Sequence, residues 1–154
     1  MTARESAPPI STLHLPYEGT SARAARRWAR DVLAGLVSDE TIDAVRHCIA
    51  ELVANSQVHT RPSLDRREIT CHLVIGPARN IRVEVIDAGS PGKVPASRRV
   101  HADDESGRGL SQVVNGYADS WGHEQRSPCE SVTWFEVNDA AGSPANEAVL
   151  QSTG

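Results

Sequence analysis

Apolar positions along the chain follow two spacings, which predict helices and strands in a fixed order. From Ser21 to Leu36, apolar residues recur every three or four positions, which is the period of an α-helix. A second helix with this period is predicted to begin at its cap, Ser38, and to end near Thr60, because Pro62 stops it. Each helix therefore has one apolar face to bury.

Shorter segments rich in β-branched residues, some with strict alternation of polar and apolar positions, predict strands. The predicted strands are Ser11–Tyr17, Ile69–Ile75, Ile81–Ile86 and a final pair around Ser120–His123 and Val132–Val137. Pro16 makes the first an edge strand, and residues 76–80 join the second and third in a hairpin. A hairpin excludes a purely parallel sheet, so we predict a two-layer α/β (α+β) sandwich with a mixed, mostly antiparallel sheet and helices on one face.

The segment between the hairpin and the final strand pair is different in character. Residues 88–106 show neither period and are punctuated by Gly and Pro, which predicts a long mobile loop. A short helix is predicted to open at Gly107 and to continue to about Tyr117.

The length of 154 residues and the hydrophobic content of 39% fit one globular domain. Residues 1–9 and 139–154 are polar and contain Gly or Pro, so we expect both ends to be flexible. The folded domain is accordingly predicted to span residues 10–138.

Charge and cysteine content exclude several classes of function. A net charge of -4 and an isoelectric point near 5.8 argue against a protein that binds nucleic acid by neutralising its phosphates. Three scattered cysteines predict neither a disulfide framework nor a zinc site. The chain shows no signal peptide and no apolar run of the roughly 18 residues that span a bilayer, so we expect a soluble, cytoplasmic protein without a membrane partner.

The second predicted helix carries the first candidate for chemistry. Glu51, Asn55 and His59 are four residues apart and form one stripe beside the apolar face, where their side chains would look into a groove. An amide oxygen suits Mg²⁺, and a nearby carboxylate can act as a general base. The alternative is an ordinary helix edge with solvated polar groups.

Asp87 and Gly89 form the second candidate, at the end of an apolar strand. A carboxylate held there can accept a hydrogen bond from an amino group, which favours adenine over a base that has a carbonyl at the same place. Gly89 would let the backbone approach a flat base closely. The alternative is a strand-ending Asp in a common turn.

The third candidate is the Gly-rich turn Ser106–Leu110, which opens the short helix. Free N–H groups at a helix N-terminus form an anion site that suits phosphates, and Arg108 adds positive charge. The turn matches neither the dinucleotide-binding fingerprint nor the P-loop. The alternative is a flexible loop that joins a helix.

In order and spacing, Glu51–Asn55, Asp87-x-Gly89 and Gly107–Leu110 resemble the N, G1 and G2 boxes of the GHKL ATPase superfamily, the histidine kinase-like ATPases. The segments ELVANSQVHT, GRGLSQVVNGYADSWG and Val132–Phe135 resemble the single-domain bacterial anti-sigma-factor serine kinases and their ATP-binding relatives. The resemblance covers residues 10–138 and implies a Bergerat-type ATP-binding fold.

The resemblance also implies a role for each motif residue. Glu51 would be the base that activates a serine hydroxyl of a protein substrate, and Asn55 the Mg²⁺ ligand. Asp87 would read adenine, Gly89 would contact it closely, and Ser131 would help to hold it. The phosphates would be bound by Gly107, Arg108, Gly109 and Leu110, and residues 90–106 would be the ATP lid.

The implied function is an ATP- and Mg²⁺-binding regulator that sequesters a sigma factor and phosphorylates an anti-anti-sigma (STAS-type) protein, with a homodimer as a possible state. The alternative is a protein-interaction module, with or without nucleotide, that transfers no phosphate. Pro128–Ser131 favours this alternative, because relatives usually carry Gly followed by Thr or Lys there. The presence of Glu51 favours the kinase, because simple nucleotide binding needs no base.

Overall fold

A computed structural model of the chain describes residues 11–63, 66–89, 97–101, 114 and 116–139, with backbone only for 97–101. The helices are α1 (Ser21–Leu33) and α2 (Asp39–His59), and Pro77–Arg79 forms a short 3₁₀ turn. The strands are β1 (Ser11–Leu15), β2 (Ile69–Ile75), β3 (Asn80–Asp87), β4 (Ser97–His101), β5 (Ser120–Ser127) and β6 (Glu130–Asn138). No described helix has the length and apolar content that crossing a bilayer requires.

The six strands form one sheet in the order β1-β2-β3-β6-β5-β4. All five described pairings are antiparallel, which confirms the predicted mostly antiparallel sheet. β1 lies at one edge and ends at Leu15, because Pro16 has no N–H to continue the ladder. The predicted hairpin of β2 and β3 is present, with Ile75 opposite Ile81.

The helices form the second layer of the fold, and the apolar core lies between them and the sheet. Alternate residues of β3, namely Ile81, Val83 and Val85, are fully buried and continue the core across the sheet. The fully buried positions of the helices include Ala25, Ala29, Leu33, Val45, Ile49 and Val53. On the opposite side of β3, Arg82 forms ion pairs with Glu84 and Glu136, so that side is polar.

Both helix ends predicted for α2 are confirmed. Ser38 caps the N-terminus, where its hydroxyl accepts a hydrogen bond from the N–H of Thr41 at 3.2 Å. His59 is the last helical residue, and Thr60 is extended. α1 ends at Leu33, earlier than predicted, and Gly35 follows with a φ of +79°.

The prediction of a loop throughout residues 88–106 is wrong at 97–101. These residues form β4, which pairs with β5 from Ser97 opposite Glu124 to His101 opposite Ser120. The segment SRRVH has no alternating pattern, so the strand depends on the open edge of β5, which supplies its hydrogen-bond partners. The rest of the predicted lid, 90–96 and 102–106, lies outside the described residues.

The fold also extends one residue beyond the predicted domain boundary. Asp139, the first residue of the predicted C-terminal tail, is buried, and its carboxylate binds the Ser38 N–H at 3.2 Å, the Thr41 hydroxyl at 2.9 Å and Arg79 at 2.7 Å. It joins the start of α2 to the turn between β2 and β3.

Candidate functional site

Asp87 is the last residue of β3 and is almost fully buried, with 3% of its surface exposed. Among the residues that the structure describes, three donors surround its carboxylate. Oδ1 accepts hydrogen bonds from the Gly89 N–H at 2.9 Å and from the hydroxyl of Ser131. Oδ2 accepts a hydrogen bond from the hydroxyl of Ser56 at 2.5 Å. A buried carboxylate with three donors is held in one orientation, because rotation would break several bonds at once.

A buried polar row crosses three strands at this end of the sheet. The register places Ser131 of β6 opposite Asp87 of β3 and opposite Gln125 of β5. All three lie on the side of the sheet that faces the core, and none is more than 6% exposed. A polar row on a core face must be satisfied by hydrogen bonds, which makes this end of the sheet a candidate binding site.

Gly89 lies beside this row with a φ of +73°, a conformation that favours glycine. A Cβ at this position would collide with the Gln125 carboxamide and lie 3.3 Å from the backbone nitrogen of Glu130. In this structure the side chain of Gln125 approaches Gly89 closely, and the contact of Gly89 with a base stays a prediction.

Glu51 and Asn55 lie one turn apart on α2, about 6 Å along the helix axis. Both are half-buried, as the predicted stripe beside the apolar face requires, whereas His59 at the helix end is exposed. Among the described residues, no hydrogen bond or ion pair holds the side chain of Glu51 or Asn55. Toward the described part of the chain, their oxygens therefore keep free acceptor capacity.

Ser56 was not predicted as a site residue, although it follows Asn55 directly. Its hydroxyl joins α2 to Asp87, and its side chain is buried. The sequence contained a signal for it: Ser56 occupies an apolar position of the helix, four residues after the buried Leu52. A polar side chain on a buried face must find a partner.

A second connection joins the end of α2 to the end of β3. The hydroxyls of Tyr17 and Thr60 share a hydrogen bond of 3.2 Å, and the Ala88 N–H donates to the Tyr17 oxygen at 3.0 Å. The helix that carries Glu51 and Asn55 is thus fixed relative to the strand that carries Asp87.

Glu130, in the segment that departs from the family pattern, starts β6 and is half-buried. Its carboxylate lies 3.8 Å from Arg66 and 3.7 Å from Arg126. Both ion pairs are long and partly exposed, so they contribute little to the position of the Glu130 side chain.

The side-chain oxygens of Asn55 and Glu51 suit Mg²⁺ as nucleotide-binding sites commonly hold it. Mg²⁺ commonly binds through one or two protein oxygens and completes its shell with water and phosphate oxygens, and Asn55 and Glu51 offer such oxygens. Within the described ranges, no group of three or more His, Cys, Asp or Glu residues is placed to hold a metal. The predicted phosphate residues Gly107, Arg108, Gly109 and Leu110 lie outside the described residues.

Comparisons with known proteins point to one family. The family profile described as the histidine kinase-like ATPase domain matches residues 15–134. Among the solved structures, the RsbU and RsbW domains of Rv1364c from Mycobacterium tuberculosis superpose with a TM-score of 0.61 at 18% identity. That match covers 84% of this chain and 32% of the other, so this chain spans about a third of its length. No curated protein matches.

Proposed function

Because the chain belongs to the histidine kinase-like ATPase family, we propose that it binds ATP with Mg²⁺ and transfers the γ-phosphoryl group to a serine or threonine of an antagonist protein. Phosphorylation would switch the partner that this protein holds, a sigma factor or its anti-anti-sigma antagonist, and so regulate transcription in a bacterial cytoplasm. The observation that carries the proposal is the buried carboxylate of Asp87 at the end of β3.

Asp87 has the chemistry that recognises adenine. An ionised carboxylate only accepts hydrogen bonds, so it attracts the 6-amino group of adenine and repels the 6-carbonyl oxygen of guanine. Because Asp87 is buried, a base without a donor at this place would leave an acceptor position of the carboxylate without a hydrogen bond, at a cost in desolvation. Ser131, which bonds the same carboxylate, is the hydroxyl expected to help hold the base.

The phosphates would extend from the base toward α2 and the Gly107–Leu110 turn. Asn55 would bind the Mg²⁺, which neutralises charge on the phosphate oxygens when it is bound. The backbone N–H groups of the turn and Arg108 would bind the β- and γ-phosphates. These roles rest on the residue types and on family membership.

Glu51 would act as the general base. Its carboxylate would take the proton from the substrate hydroxyl while the hydroxyl oxygen forms a bond to the γ-phosphorus. The bond between that phosphorus and the β–γ bridging oxygen breaks, and ADP leaves. This role is supported by the half-buried position of Glu51 and by its carboxylate oxygens, which no other described residue binds.

A basic stripe on α1 supports a protein partner. Arg23, Arg26, Arg27 and Arg30 are all exposed and, at 100° per residue, lie within an arc of about 100°. Within the described part of the chain, only Arg30 of these four forms an ion pair, with the exposed Asp31. Such a concentration of positive charge on a protein of net charge -4 suits an acidic protein surface.

Calorimetric titration with ATP, with and without Mg²⁺, tests nucleotide binding. The wild type should bind ATP saturably and more tightly with Mg²⁺, and Asp87→Asn should abolish binding because an amide presents a donor to the 6-amino group. Asp31→Asn, an exposed change on α1, is the matched control and should bind like the wild type. Absence of binding at millimolar ATP would leave the alternative, a protein-interaction module without nucleotide.

Glu51→Gln separates a kinase from a nucleotide-binding module. With a phosphorylatable antagonist protein and radiolabelled ATP, the variant should bind ATP like the wild type and lose phosphotransfer by at least about 100-fold. If the wild type binds ATP and transfers no phosphate, or if the variant transfers it at the wild-type rate, the kinase assignment fails.

A further inference from the structure

A direct hydrogen bond from Ser56 joins α2 to the carboxylate of Asp87, the proposed reader of the base. The Ser56 hydroxyl donates to Oδ2 at 2.5 Å, and each residue is only 3% exposed. Both groups are therefore shielded from water, which strengthens the bond and makes its loss costly.

The direction of this bond is not the ordinary one for a serine inside a helix. Such a hydroxyl usually donates to the carbonyl one turn earlier. Thr60 follows that rule, since its hydroxyl donates to the Ser56 carbonyl at 2.6 Å. Ser56 itself donates to Asp87 across 31 positions of sequence, so the tertiary contact has replaced the local one.

The number of acceptor positions on Asp87 limits what the site can bind. A carboxylate has about four lone pairs, two on each oxygen. Oδ1 already accepts from the Gly89 N–H and the Ser131 hydroxyl, and Oδ2 accepts from Ser56. Counting donors from the described residues alone, one lone pair on Oδ2 remains, which matches one N–H of an exocyclic amino group.

We infer that Ser56 is a positioning residue that sets the base selectivity of this site: it fixes the Asp87 carboxylate so that its single remaining acceptor faces the 6-amino group of adenine. This inference rests on the proposed binding of ATP. With the Ser56 and Ser131 protons both committed to Asp87, neither hydroxyl has a proton for the 6-carbonyl of hypoxanthine, so a 6-oxo base meets only acceptors.

Removing the Ser56 hydroxyl should relax this selection. In Ser56→Ala, Oδ2 loses its donor and the carboxylate gains freedom to rotate, so its bond to the 6-amino group weakens. A water can then occupy the vacated position and donate a hydrogen bond to a 6-carbonyl. The substitution should therefore weaken only the contact at position 6 of the purine, and the contacts to the rest of the nucleotide should keep their strength.

The test is a calorimetric comparison of three nucleotides that differ at position 6: ATP, inosine triphosphate with a carbonyl, and purine riboside triphosphate with hydrogen. Ser56→Ala should lower the affinity for ATP about tenfold, which is the cost of losing a hydrogen bond to a charged group. The affinity for purine riboside triphosphate should stay within about twofold of the wild-type value. The ratio of ATP to inosine triphosphate affinity should fall. Ser21→Ala is the control, because this buried hydroxyl donates to the Pro16 carbonyl outside the site and should leave the ratio unchanged.

Unchanged base selectivity in the variant would overturn the inference. If Ser56→Ala weakens all three nucleotides equally, Ser56 supports the fold and does not select the base; an unchanged ratio of ATP to inosine triphosphate affinity has the same meaning. If Ser56→Ala fails to fold, Ser56→Cys, with a weaker donor and similar shape, should show the same change in ratio. Failure of the wild type to bind ATP would instead overturn the proposed function, and this inference with it.

Discussion

The side chain of Gln125 occupies the space that the missing side chain of Gly89 leaves open. Its carboxamide is too close for any Cβ on Gly89, and Nε2 donates to the Ser127 carbonyl at 2.5 Å. Gly89 and Gln125 are thus matched across the turn that ends β3 and the last residues of β5. This packing requires a glycine at position 89 even when no nucleotide is bound.

We therefore expect Gly89→Ala to destabilise the fold by about 2–4 kcal/mol. About 1–2 kcal/mol comes from a positive φ at a residue with a Cβ, and the rest from displacing Gln125 and its hydrogen bond. Urea denaturation measures the loss. Gly35→Ala is the matched control, because Gly35 has a similar φ of +79° with nothing within 4 Å of its Cβ position. Equal losses in the two variants would show that the Gln125 contact contributes nothing.

Asp139 should make the stability depend on pH in the acid range. Burial raises the pKa of Asp139, but hydrogen bonds from Arg79, from the Ser38 backbone and from Thr41 outweigh it and leave the pKa below its ordinary value. Because the pKa is lowered in the folded state, Asp139 contributes fully to the stability above its unfolded-state pKa of about 3.9. This contribution disappears as the pH falls through the folded-state pKa.

The measurement is the thermal midpoint of wild type and Asp139→Asn between pH 7 and pH 2.5. At pH 7 the variant should be less stable by about 1–3 kcal/mol, because the partners of Asp139 lose a charged acceptor. This difference should shrink as the pH falls below about 4. Asp31→Asn, at an exposed carboxylate, should follow the wild type throughout. A difference in stability that does not change with pH would show that the charge on Asp139 does not stabilise the fold.

The cysteines should differ sharply in reactivity. Burial raises the pKa of Cys48 and of Cys71 to about 12, whereas Cys129 is half-buried in the turn between β5 and β6. Because only the thiolate reacts, a thiol reagent at pH 8 should label one cysteine per native chain.

Cys129→Ser identifies that cysteine: the native variant should not react, and its two remaining thiols should react after unfolding in denaturant. Rapid labelling of native Cys129→Ser would mean that the core around Cys48 or Cys71 opens readily. Cys129 immediately precedes Glu130, whose backbone nitrogen lies beside Gly89, so its labelling rate also offers a reporter for the candidate base site.

Local pattern was sufficient for most of the elements. The helical period located α1 and α2, and alternation located β3, because each depends on neighbours within one or two turns or on the two sides of one strand. β4 was missed for the opposite reason: its five residues have no period of their own, and pairing with β5 specifies them.

In the candidate site, too, local pattern locates some residues and tertiary packing brings in the others. Helical spacing alone places Glu51 and Asn55 on one side of α2, and strand alternation places Asp87 at the end of a buried strand, two residues before a glycine. Only the tertiary structure brought Ser56 and Ser131 to Asp87, over separations of 31 and 44 residues, and Asp139 to Ser38, over 101. A periodic pattern records which side of an element is buried, whereas hydrogen bonds between distant elements depend on how the layers pack.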